Sequence, residues 1–149
     1  MTYRGVLSWI KQEFCYPVPK DYLSFLKSGD FQSTFRKNYI IDRESESVLE
    51  ISEWFTYDNI PEIYKNCREE KMIEKYHLPI FDSCGCTVVL DCNSQNDSYG
   101  QVFSRTPTGY FDETLQENVY LELDFVADNF SEIINNLRST EELEEMGIL

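Results

Sequence analysis

Cys86-Thr87-Val88-Val89-Leu90-Asp91-Cys92-Asn93-Ser94-Gln95-Asn96-Asp97-Ser98-Tyr99-Gly100-Gln101-Val102-Phe103-Ser104-Arg105 is the stretch that decides the fold. Two short apolar runs, Cys86 to Cys92 and Gln101 to Arg105, flank a polar stretch ending in Gly100, the pattern of two strands joined by a hairpin-type loop. In the first run, alternation puts Cys86, Val88, Leu90 and Cys92 on one apolar face. Leu78 to Phe81 is a further strand-like run just upstream. The middle of the chain therefore reads as successive hairpin-connected strands.

Helical signals lie on either side. Val6, Leu7, Ile10 and Phe14 recur at three- and four-residue spacing, which predicts an amphipathic helix over Tyr3 to Phe14, stopped by Cys15-Tyr16-Pro17. A second helix is expected from Pro19, with Asp21 in its positive first turn, Tyr22, Phe25 and Leu26 on one face, and Gly29 at its end. Asn38 to Ile41 and Ser47 to Ile51 read as strands around a polar turn, Asp42 to Glu46. Asn59 and Glu62 resemble a capping arrangement opening a helix through Tyr64, Cys67, Ile73 and Tyr76, with Leu78-Pro79 as the stop. Val119 to Leu123 reads as a strand leading to a last helix that buries Phe130, Ile133, Ile134 and Leu137, with Asp124 or Asp128 in its first turn. The run Glu141 to Glu145 is expected to be a fraying, solvated end. Together these elements predict an α+β fold: one domain over residues 1–140, with a mostly antiparallel, curved sheet and helices packed at the N-terminus, middle and C-terminus, followed by an acidic end at 141–149.

The composition is compatible with one folded domain. At 149 residues, with 42% hydrophobic and 15% aromatic content, the chain has enough apolar material for a core despite a net charge of -14. The acid is unevenly placed. Met1 to Tyr39 hold six Lys/Arg against three Asp/Glu, whereas Tyr76 to Leu149 hold two against fourteen. Such a field repels nucleic acid and anionic membrane and attracts basic proteins. Lys11 and Glu13 interrupt the apolar residues at the N-terminus before an export signal or spanning helix could form. Five cysteines, an odd number without a secretory signal, point to free thiols in a reducing compartment, so a cytoplasmic location is expected.

Sites for catalysis or metal are weakly indicated. Cys84, Cys86, Cys92 and His77 supply the atoms of a Cys₃His zinc shell, but not the paired knuckle spacing such sites use. Buried, inert thiols are the preferred reading of these cysteines. Asp91 to Asn96 imitates the start of a calcium loop, yet Asn96 stands at the position that requires glycine and Val102 at the one that requires glutamate. His77, ahead of Leu78-Pro79, suits a helix C-terminus. No nucleophile elbow, phosphate loop or dinucleotide fingerprint is present, so no catalytic residue, metal or cofactor is expected. The stretch Thr106 to Glu113, followed by Glu117, differs in kind. Tyr110 and Phe111 beside Asp112, Glu113 and Glu117 have the composition of a protein contact. Equally, the two aromatics could cover the core beneath a long loop.

Five motifs in order resemble the SUKH superfamily, the yeast cell-wall-synthesis-regulator homology group. Val18-Pro19-Lys20-Asp21-Tyr22-Leu23-Ser24-Phe25-Leu26 is similar to its "LP-x-D-Y-x-x-F-L" opening, and Leu78-Pro79-Ile80-Phe81-Asp82 to its "LP-I-A-x-D" strand. Gly85 to Asp91 resembles "G-x-I-x-L-D", Tyr99 to Phe103 "G-x-V-Y", and Phe125 to Ile134 its closing "I-A-x-S-F-x-E-F-L" helix. Cys84 and Cys86 depart from the glycine and the acidic or amide residue often found at that turn. The resemblance implies an α+β domain and a non-catalytic binding role. In bacterial members the role is mostly immunity, neutralising a cognate polymorphic or contact-dependent toxin; in fungal members it is that of a regulatory interaction scaffold. With the acidic later half, the partner expected is a basic toxin domain.

Overall fold

The alternation along Cys86 to Asp91 is reproduced in three dimensions: Val88 and Leu90, with Cys92 just beyond, enter one buried cluster, whereas Val89 enters a separate one with Cys67, Met72 and Ile73. The structure, a computed structural model, describes residues 1–29, 31, 38–41, 48–120 and 122–148. In chain order it contains α1 (Tyr3–Trp9), a π-helical turn (Ile10–Phe14), α2 (Lys20–Ser28), β1 (Tyr39–Ile41), β2 (Val48–Glu50), β3 (Glu53–Trp54) and α3 (Asn59–Glu69). Then follow β4 (His77–Ser83), β5 (Cys86–Asp91), β6 (Val102–Arg105), β7 (Gly109–Asp112), β8 (Glu117–Tyr120), β9 (Asp124–Ala127), α4 (Phe130–Asn135), β10 (Leu137–Arg138) and α5 (Thr140–Glu145). The polar turn expected at Asp42 to Glu46 lies outside the described residues.

These elements form a single α+β domain built on antiparallel sheets. The main sheet has the order β3-β4-β5-β6-β9, a small one has β10-β1-β2, and among the described residues β7 and β8 pair only with each other. Pro79 sits inside β4 opposite Val89, just before a register shift. Its missing N–H is tolerated because β3 is short and pairs only with Phe81 and Asp82. The β4–β5 connection is the two-residue turn Cys84-Gly85, both with positive φ (50° and 91°), the backbone that such tight hairpins need.

The main core lies between the Val88/Leu90 face and α1, α2 and α4. Tyr22 and Phe130 meet edge to face at 4.9 Å, Phe25 lies 4.8 Å from Trp54, and Trp54 lies 5.2 Å from Phe81. Such pairs add to the area they bury. Asp21 joins two of the helices, as its carboxylate accepts from the Tyr22 N–H and from both the N–H and the hydroxyl of Ser131.

Several elements differ from the sequence reading. Pro19 caps α2 from outside, with Lys20 the first helical residue. Asn59 is the first helical residue and not the cap, which is Asp58 without a side-chain cap bond; the Asn59 side chain instead accepts from the Thr56 N–H and hydroxyl, and the helix ends at Glu69, just before a left-handed Lys71 (φ 57°). Met72 and Ile73 then leave the helix to cover Val89. His77 therefore opens a strand and does not cap a helix. The single strand expected at Val119 to Leu123 is replaced by β8 and β9. Phe125 to Ala127 belong to β9 and not to the closing helix, which starts at Phe130 with Asn129 as its cap. Leu137 has left that helix for β10, where it pairs with Ile40. The Glu141 to Glu145 run is helical, held by a reciprocal Ser139/Glu142 capping box and by fully buried Leu143.

Candidate protein-binding face

Gly109 opens the ribbon formed by β7 and β8 because nothing larger fits: a Cβ there would lie 2.6 Å from the Val119 carbonyl oxygen. The strands then pair Tyr110 with Val119, Phe111 with Asn118 and Asp112 with Glu117. The tip is closed by Asp112, whose Oδ1 accepts from the Thr114 and Leu115 N–H groups at 2.8 and 3.0 Å. Cross-strand parity puts Tyr110, Asp112, Glu117 and Val119 on one side, and Phe111, Asn118 and Tyr120 on the other.

The ribbon is tied to the rest of the domain at its root, through Tyr120, and beside its closing turn, through Glu117. Glu117 meets the Lys71 ammonium at 2.5 Å. Tyr120 lies under the Arg105 guanidinium at 5.6 Å, and Arg105 Nε donates to the Met72 carbonyl at 2.6 Å. Tyr110, Phe111 and Leu115 are each more than half exposed, as is Phe125 on the neighbouring edge strand β9. The alternative in which Tyr110 and Phe111 cover the core is therefore excluded. All five sequence-selected residues lie on this one ribbon: Tyr110, Phe111 and Glu113 face solvent, Asp112 also builds the turn, and Glu117 also ties the ribbon to Lys71. Leu115 and Phe125 were missed. The alternation Phe125-Val126-Ala127 is their only strand signal, and it is too short to separate from a helix start.

Beside the ribbon root, the Val89 face of the sheet is only partly covered and leaves a polar cavity of about 440 Å³. Its lining includes His77, Asp91, Phe103 and Glu122. His77 and Asp91 face each other across β4 and β5 and are both buried. The pair resembles an acid–base dyad without the bonding of one. His77 Nδ1 accepts from the Glu74 backbone N–H at 2.9 Å. The Asp91 carboxylate is taken up by the Asn93 N–H, the Ser98 hydroxyl and the Asn96 side-chain amide, so it closes its own loop. Burial pulls the His77 pKa down to about 4, with nearby Asp91 opposing the shift. No serine or cysteine among the described residues hydrogen-bonds to His77.

The cysteines do not gather. Cys84 lies in the β4–β5 turn and Cys86 opens β5, at the far end of that strand from Cys92, and His77 belongs to the opposite face of the sheet. Among the described residues no three His, Cys, Asp or Glu side chains are placed to hold a metal ion. Cys67 and Cys92 are buried, and burial pushes both thiol pKa values up. Cys15 and Cys84 are exposed and Cys86 half-buried, so the reading of buried thiols is corrected at Cys84 and Cys86. A larger groove of about 830 Å³ runs beside Trp9, Pro61 and Tyr64, with acids and bases mixed around it (Glu13 and Glu62 against Lys65 and Arg68) and no net sign to select a partner. No helix among the described residues is long and apolar enough to cross a membrane.

Residues 5–136 match the family model described as SMI1 / KNR4 family (SUKH-1). No curated protein sequence matches the chain at a significant level. The match spans most of the sequence, from α1 to the end of α4, and the chain belongs to the SMI1 / KNR4 (SUKH-1) family.

Proposed function

We propose that the chain is a non-catalytic, cytoplasmic immunity protein that sequesters a basic toxin domain through the β7–β8 ribbon. The family includes immunity proteins, which supports the class. The observation that carries the surface is the ribbon itself: two adjacent aromatics and a leucine, each more than half exposed, beside Asp112, Glu113 and Glu117 on an element that contributes no strand to the main sheet. Large solvated aromatics flanked by charge are the make-up of an interface centre with a polar rim. A toxin that acts on nucleic acid must carry positive charge, and an acidic inhibitor captures it with the same attraction its substrate uses.

The test begins with a pull-down from the native host at low and high salt, to identify a protein held mainly at low salt. That protein is then expressed in a surrogate host with and without this chain. Growth arrest relieved by the wild-type chain, and not by a Tyr110→Ala/Phe111→Ala variant, is the expected result. A toxic partner whose effect is unchanged by co-expression contradicts the immunity reading. Rescue by the double variant at wild-type level contradicts the ribbon as its surface.

A further inference from the structure

One side chain on the Val89 face of the sheet has unfinished hydrogen bonding. His77 is 4% exposed, and since its Nδ1 accepts from the Glu74 N–H, the proton of the neutral ring is on Nε2. This N–H has no protein partner among the described residues, and it is not sealed off, because His77 lines the cavity at the ribbon root. The donor is therefore open to the cavity, where a ligand that brings a carbonyl oxygen can take the bond in place of solvent.

The charge around the same cavity favours a cation. Glu74, Asp91 and Glu122 border it. Of the positive groups there, Lys71 is paired with Glu117, and Arg105 is directed to the Met72 carbonyl and the Tyr120 ring while it also feels the charges of Asp124 and Glu74. His77 stays neutral at physiological pH and adds no positive charge. The cavity is continuous with the ribbon, because Glu122 lies in the link from β8 to β9 and Phe103, which also lines it, contacts exposed Phe125 (6.2 Å between ring centres).

We propose that this cavity receives a single basic residue, arginine or lysine, from the protein partner docked on the ribbon. Its cationic head is held by Glu74 and Glu122, and an amide carbonyl of the same residue accepts from His77 Nε2–H. This assignment rests on the protein-binding reading above and names the chemistry the partner must present.

The test needs no toxin. The full chain is titrated with Nα-acetyl-arginine-N-methylamide, its lysine counterpart, and the citrulline analogue, which keeps the carbonyls but lacks the charge, and NMR shifts are followed. Saturable shifts at His77 Nε2–H and the Phe103 ring are expected with the arginine or lysine probe. Binding should be about threefold weaker for Glu122→Gln, the size of one partly exposed ion pair, and about tenfold weaker for citrulline, which loses both pairs. Glu122 is exposed, so this variant leaves the core intact. Shifts that fail to saturate, that fall on other surfaces, or that are equal for charged and citrulline probes or for wild type and Glu122→Gln overturn the assignment. The immunity reading is decided separately, by growth rescue.

Discussion

Tyr22 is fully buried, and its hydroxyl has no hydrogen-bond partner among the described residues, so burial raises its pKa and leaves a desolvated polar group in the core. Removing an unsatisfied hydroxyl while keeping the ring costs no bond. Tyr22→Phe should leave stability unchanged or raise it by up to about 1 kcal/mol in urea unfolding; a loss of that size would show that the hydroxyl is engaged. His77 makes a pH prediction with the opposite consequence. Its folded pKa, about 4, lies below the ordinary 6.5, so between these values the unfolded chain binds more protons, and stability is lost as pH falls through the window. The full loss is about 3 kcal/mol, complete below the folded pKa. His77→Asn keeps an acceptor for the Glu74 N–H but does not titrate. Unfolding free energies measured from pH 7 to 4 should therefore fall more steeply for wild type than for this variant, and parallel curves would contradict the assignment. At this scale the sequence was readable where alternation decides facing, as at Val88, Val89 and Leu90. It was not readable at His77, whose role depends on where the preceding helix stops.

At the scale of elements, α5 and the ribbon depart most from expectation. Five residues from Glu141 to Glu145, four of them acidic, look like a solvated tail in sequence, but Leu143 is fully buried and Ser139 and Glu142 cap the helix reciprocally. Leu143→Ala should cost about 2–4 kcal/mol in denaturant unfolding, as for other buried leucines, whereas a tail residue would cost less than about 0.5 kcal/mol. On the ribbon, Gly109→Ala forces a Cβ against the Val119 carbonyl. The two strands must part, so amide hydrogen exchange across 109–120 should accelerate while β4 and β5 stay protected; unchanged protection at the ribbon would contradict the close approach. Periodicity located α2, the two central strands β5 and β6, and the Phe130 to Ile134 part of α4. It failed for β3, β7 and β9, where two to four residues gave no pattern distinct from loop or helix start. The helix after Asn59 was read too long because Met72 and Ile73 continue its apolar spacing, although they are drawn out to cover Val89.

Across the whole molecule, fourteen acidic residues follow Tyr76, and the aromatic ribbon lies within the same part of the sequence. The five residues chosen from sequence were legible because aromatics beside acids in a turn-rich segment are conspicuous. Phe125, Leu115 and the cavity at the ribbon root were not, since they depend on which strands become neighbours. Long-range attraction should set the capture rate, so the association rate constant with a basic partner should fall about tenfold between roughly 0.05 and 0.5 M salt, with a much smaller change in dissociation. A salt-independent association rate would remove charge from the recognition step. The most direct measurement is the Kd of the toxin partner for wild type and for Tyr110→Ala/Phe111→Ala, two exposed side chains whose loss leaves the core in place. Weakening by about tenfold or more, equivalent to about 1.4 kcal/mol, is predicted for an interface centred on the ribbon; an unchanged Kd would contradict it.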